Sequence, residues 1–166
     1  MHLMHLSIYQ HQVGLVSPGE KIPFCGGSII SKQHVLTAAH CTLDKDTDEV
    51  KVPEAIEVLV GEHNVADNIM DARAISAITN HPSFNKANLD FDFSILTLES
   101  SLAFSSTVAP ICIPASVSSL YTNSLATVTG WGETASGESS PTLQEVDVTV
   151  LSNQQCVSSY GNQIKR

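Results

Sequence analysis

Gly27-Ser-Ile-Ile-Ser-Lys-Gln-His-Val-Leu-Thr-Ala-Ala-His-Cys41 is the stretch on which the fold of this chain turns. Gly27-Ser-Ile-Ile30 is a short apolar, β-branched run, Ser31-Lys-Gln33 is a polar turn, and His34-Val-Leu-Thr37 is a second run. Such a pattern reads as two strands joined by a tight connection. Immediately after it come two alanines, a histidine and a cysteine. Small side chains before this histidine allow close approach of backbone and partner, and the histidine by itself fits either a structural place in a β-rich core or proton exchange.

Outward from this stretch the signal stays β. Ala55-Ile-Glu-Val-Leu-Val60, Phe93-Ser-Ile-Leu-Thr-Leu98, Leu125-Ala-Thr-Val-Thr129 and Leu143-Gln-Glu-Val-Asp-Val-Thr-Val150 read as further strands, the last with strong period-2 alternation. No long amphipathic helical stretch interrupts them. Many short strands without helices predict an all-β barrel or sandwich. Loops are expected over 44–53, 66–71 and 133–141. A Pro- and Ser-containing connection over 107–124, with Pro110, Pro114 and Ser116-Val-Ser-Ser119, separates a larger first unit from a smaller second one.

Composition narrows the function. The chain has 166 residues and a net charge of −9, with no basic cluster. That disfavours nucleic acid, whose phosphates need Lys and Arg, and equally an anionic membrane surface. No apolar run is long enough to span a bilayer. Met1-His-Leu-Met-His-Leu-Ser-Ile8 lacks a basic n-region and a cleavage site, so it is not a convincing signal peptide. It reads as an arbitrary start, with a soft-metal tract as the lesser alternative. The four cysteines, Cys25, Cys41, Cys112 and Cys156, form no Cys-x-x-Cys pair, which leaves little case for zinc or redox chemistry.

Leu36-Thr-Ala-Ala-His-Cys41 resembles the histidine motif of trypsin/chymotrypsin-like serine proteases, and other segments resemble the family in its order. These are Gln12-Val-Gly-Leu15, Phe24-Cys-Gly-Gly-Ser-Ile-Ile30, Val60-Gly-Glu-His-Asn64, His81-Pro-Ser-Phe-Asn85, Asp92-Phe-Ser-Ile-Leu96, Pro110-Ile-Cys-Ile-Pro114, Thr129-Gly-Trp-Gly132 and Leu143-Gln-Glu-Val146. The resemblance implies a double β-barrel, with a nearly complete first barrel over 11–106, a connection over 107–124 and a truncated second barrel over 125–166. It implies serine endopeptidase chemistry, in which His40 takes a serine proton and Asp92 orients it. Asp90, on the same strand parity, is the rival to Asp92. A Cys25–Cys41 bridge is implied as well, closing a loop worth about 3 kcal/mol in the chain-entropy treatment.

The same resemblance implies peptide and protein substrates, protein protease inhibitors, a secreted monomer and no obligatory cofactor. Glu62, Asn64, Asp67 and Asp71 lie in a loop similar to the family's calcium loop and are the weak calcium candidates. No Gly-Asp-Ser-Gly-Gly segment is present. The nearest serine context, Gly137-Glu-Ser139-Ser-Pro141, is expected to be a surface excursion. The chain is therefore expected to be a fragment lacking the nucleophile, with a non-catalytic binding homologue as the alternative. Cys112 and Cys156 are expected to be free thiols, and 143–150 to present an open strand edge.

Overall fold

A computed structural model of the chain describes residues 9–67, 71–114 and 121–161. The Met1–Ile8 tract and the serine run at 116–119 lie outside the described residues. Six strands form a closed barrel: β1 (Gln12–Val16), β2 (Cys25–Ile29), β3 (His34–Thr37), β4 (Glu57–Val60), β5 (Ala72–Asn80) and β6 (Ser94–Leu98). Neighbours run β1-β2-β3-β6-β5-β4, and β1 pairs back onto β4 to close the ring. Closure leaves the barrel no unpaired edge.

Alternation sets the core. Val13 and Leu15 of β1, Val58 and Val60 of β4, and Leu96 and Leu98 of β6 are almost completely buried, joined by Ile29, Val35, Ile56 and Ile75. The opposite faces of β1 and β4 carry Val16 and Leu59, which pack with Val65 and Trp131 in a second cluster outside the barrel. Every residue of β1 is buried in consequence. Leu102 and Val108, beyond β6, also join the barrel core.

The rest of the chain is smaller. β7 (Leu125–Gly130) and β8 (Gln144–Thr149) form a two-stranded antiparallel ribbon, followed by an α-helix, α1 (Asn153–Tyr160). All six residues of β8 are exposed. Thr129 Oγ1 donates to Gln12 Oε1 at 2.7 Å, Val65 N to Pro141 O at 2.9 Å and the Trp131 indole to His63 O at 3.2 Å. These bonds hold the ribbon to the barrel. Among the described residues, no helix is long and apolar enough to cross a membrane.

Several expectations need correction. The strand expected from Ala55 starts at Glu57, because Pro53–Ala55 form a 3-10 turn with proline in its first positions, where the missing N–H costs nothing. The residues after the second run, Ala39–Thr42, form a 3-10 turn that carries His40 and Cys41. Strand β5 was not legible by alternation, since its two isoleucines, Ile75 and Ile78, are three apart. A register shift between Ile75 and Ala77 marks a bulge, which lets both isoleucines reach the core. Helix α1 also escaped the pattern search, having no buried residue. Its one signal is a capping box, Ser152-x-x-Gln155, in which Ser152 Oγ accepts from Gln155 N at 3.2 Å and Gln155 Oε1 accepts from Ser152 N at 2.9 Å.

Barrel closure predicts opposite fates for two glycines. A Cβ on Gly27 would stand 2.9 Å from the Leu36 carbonyl oxygen and 3.1 Å from Val13 Cγ2, whereas one on Gly132 meets nothing within 4 Å. Gly27→Ala is expected to cost about 1–3 kcal/mol by overpacking. Gly132→Ala should stay within about 0.5 kcal/mol of the parent. Urea denaturation of both variants checks this; equal midpoints would contradict the packing described.

Candidate active site around His40

The register of one strand pair brings the site together. β3 and β6 are antiparallel neighbours, and Thr37, the last residue of β3, faces Ser94, the first of β6. The chain leaving β3 toward His40 therefore runs beside the chain entering β6 from Asp92. The sharp exit from β3 is fixed by the 3-10 turn, where Ala39 is fully buried and the buried Thr42 hydroxyl donates to Ala39 O at 2.8 Å. A Cys25–Cys41 disulfide, with 6.2 Å between its Cα atoms, ties this turn to β2.

Asp92 meets His40 twice. Its Oδ1 accepts from the His40 backbone N at 2.8 Å, and its Oδ2 lies 2.6 Å from Nδ1. An ionised carboxylate only accepts hydrogen bonds, so Nδ1 is assigned the donor role in this contact. The carboxylate side chain is 18% exposed and the imidazole 50%, so the carboxylate is sheltered and the ring open to solvent. Cys41 Sγ lies 3.5 Å from Nε2. Its sulfur and that of Cys25 cluster with His40, but both are committed to the disulfide.

The rival aspartate is occupied elsewhere. Asp90 Oδ2 accepts from Asn88 Nδ2 at 2.9 Å, and its backbone pairs with Asn85. Ser139 is exposed, pairs across its own loop with Glu133, and lines a concavity with Lys21, Trp131 and Pro141, apart from His40. Among the described residues no hydroxyl is hydrogen-bonded to His40 Nε2. Cys112 and Cys156 are both free thiols. Alternation and motif matching missed the aromatic surroundings of Asp92, where His81 packs on Phe91 and Phe93. The segments His81–Asn85 and Asp92–Leu96 hold two of the three rings, but neither signals the contact between them.

The four calcium candidates are engaged with one another and with their own loop. Asn64 Oδ1 accepts from Ala66 N at 3.0 Å and its Nδ2 donates to Asp67 Oδ1 at 3.1 Å. Glu62 Oε1 accepts from Asp71 N at 3.1 Å, and the Asp71 carboxylate is paired with Arg73. Among the described residues, Glu62, Asp67 and Asp71 do not bring three ligand atoms within 4.8 Å of one another. These side-chain oxygens bond one another, Arg73 and the loop backbone.

Burial, with Asp71 and Asp67 nearby, pushes the Glu62 carboxyl above the usual carboxylate range. The folded chain thus holds the Glu62 proton more strongly than the unfolded chain does, and a stability penalty sets in as pH rises from the unfolded pKa through the folded one. Glu62→Gln keeps the acceptor for Asp71 N and removes the charge. It should raise Tm at pH 7 by at most about 2 °C, solvent screening included, and leave Tm unchanged at pH 3. Thermal melts at both pH values, with and without Ca²⁺, check this. A Ca²⁺-dependent rise in the parent that vanishes in the variant would restore the cation site.

Comparison with known proteins places the chain in a family. Residues 5–166 match the family model described as trypsin. The chain is similar to Trypsin-1 of Astacus astacus, 36% identical over 146 residues, which cover 86% of this chain and 60% of that protein. It is similar to a venom serine protease of Polistes dominula, 35% identical, with 87% of this chain and 52% of that protein covered. Trypsin of Sus scrofa is 39% identical, with 85% of this chain and 58% of that protein covered. The chain spans about half the length of the curated relatives it matches. With a closed six-stranded barrel, a second sheet attached to it and a family match across nearly its whole length, the chain belongs to the trypsin family of serine proteases.

Proposed function

We propose that this chain supplies the general base and its orienting carboxylate to a serine endopeptidase. The observation that carries this reading is the double contact from Asp92 to the backbone N and Nδ1 of His40. It fixes the imidazole plane and its tautomer, leaving Nε2 to accept a proton from an attacking hydroxyl and return it to the leaving amine. A serine hydroxyl needs that help, being a weak nucleophile at its own pKa.

In this reading the serine and its oxyanion-stabilising N–H groups come from a part of the whole protein outside the described residues. In this reading the chain alone is inactive, since among the described residues no hydroxyl is bonded to Nε2. The whole protein acts as a secreted monomer on peptide and protein substrates, as do protein inhibitors upon it. The Cys25–Cys41 bridge supports an oxidising compartment. A non-catalytic homologue that binds partners is the competing reading, favoured by the absence of any hydroxyl at Nε2 among the described residues.

Steady-state hydrolysis of a peptide amide by the whole protein separates these readings and the two aspartates. Asp92→Asn should lower kcat about 10⁴-fold, a loss known for this family's triad and not calculated from this chain. Asp90→Asn should leave kcat close to the parent's. Near-normal turnover in Asp92→Asn would overturn the assignment, and no turnover in the parent would favour the binding homologue.

A further inference from the structure

We propose that His81, packed against Phe91 and Phe93, is a positioning residue that holds Asp92 onto His40. This rests on His40 and Asp92 being base and orienter. Asp92 sits between the two phenylalanines in sequence, and both rings meet the same imidazole. Phe91 stacks on His81 with 4.6 Å between centroids and 9° between planes, while Phe93 lies 4.6 Å away, tilted by 54°. The backbone is pinned at the same place. Phe93 N donates to Phe91 O at 2.8 Å, making Asp92 the apex of a three-residue turn, and His81 N donates to Phe93 O at 3.1 Å. The imidazole is itself fixed, since its Nδ1 accepts from Ser83 N at 3.1 Å.

Core burial does not explain these rings. Phe91 is 54% exposed and Phe93 43%, so each gives much of its surface to water while keeping its face or edge on His81. Phe91 moreover has φ of +55°, a conformation rare for a bulky residue. Backbone strain of this kind persists only where surrounding contacts over-determine it, and it gathers at functional sites. The residue bearing it directly precedes the aspartate that makes both contacts to His40. Aromatic pairs of this geometry attract beyond the area they bury, which suits a surface clamp.

The His40 Nδ1 proton, held in the 2.6 Å contact with Asp92, reports on the clamp without requiring turnover. In ¹⁵N-labelled chain, Phe91→Ala and His81→Ala should each speed its exchange with water by at least about tenfold, through more frequent local opening. Protection of the Leu96 amide, deep in the barrel, should stay at the parent level. His81→Phe and Phe91→Tyr, which keep the stack, should restore slow exchange. Where an alanine variant loses Leu96 protection, Phe91→Leu decides, because it keeps apolar bulk without the stack and is expected to exchange fast. Parent-like exchange in Phe91→Leu, or in both alanine variants, would overturn the proposal. The base assignment fails separately, through turnover in Asp92→Asn.

Discussion

Everything in this chain depends on the double pairing of β1. Its hydrogen bonds to β2 on one side and β4 on the other join residues near 13 to residues near 60 and seal the barrel. Its inward side chains, Val13 and Leu15, complete one apolar cluster, while Val16 on the other face joins Leu59 and Trp131 in the second. β1, together with its neighbour β4, is therefore the wall shared by two cores. Loss of its pairing would open an edge and expose both clusters together, so the two apolar assemblies are expected to stand or fall as one.

The site inherits its geometry from that closure. In a sealed barrel β3 and β6 cannot slide past one another without disturbing every other register, because a slip of one residue would turn the core face of β6 to solvent. Ser94, Leu96 and Leu98 are the buried residues of that strand, so the Thr37–Ser94 alignment is fixed by burial. His40 and Asp92, 52 residues apart in sequence, meet as a by-product of that alignment. The disulfide at Cys41 and the buried Thr42 then restrict the turn carrying the imidazole. Hydrophobic packing does the coarse positioning, and short polar contacts do the rest.

The legible parts of the sequence were those where local pattern and global fold agree. β8 alternates cleanly in residue type, and the Leu36–Cys41 hexapeptide marks the candidate site by residue type alone. β5 was illegible because its bulge moves the second isoleucine out of the period that a search for alternation expects. α1 was illegible because a helix that buries nothing leaves no apolar stripe. Asp92 could be preferred to Asp90 only through the Asp-Phe-Ser-Ile-Leu register. Their separation became physical once Asp90 was seen held by Asn88 and Asn85. The aromatic packing on His81 joins residues ten and twelve positions apart across a loop, and no periodicity encodes that contact.

The β7–β8 ribbon carries a consequence for colloidal behaviour. Along β8 the residues alternate Glu145, Val146, Asp147, Val148, so one face is apolar and the other acidic, and Val128 adds to the exposed apolar surface. Two molecules approaching through their valines bring carboxylates with them, on a chain whose net charge is already −9. At low ionic strength this repulsion reaches across the gap between molecules; at physiological salt it fades beyond about 8 Å. The ribbon thus makes the dispersed state dependent on the electrolyte, with charge keeping apart surfaces that hydrophobic attraction would draw together.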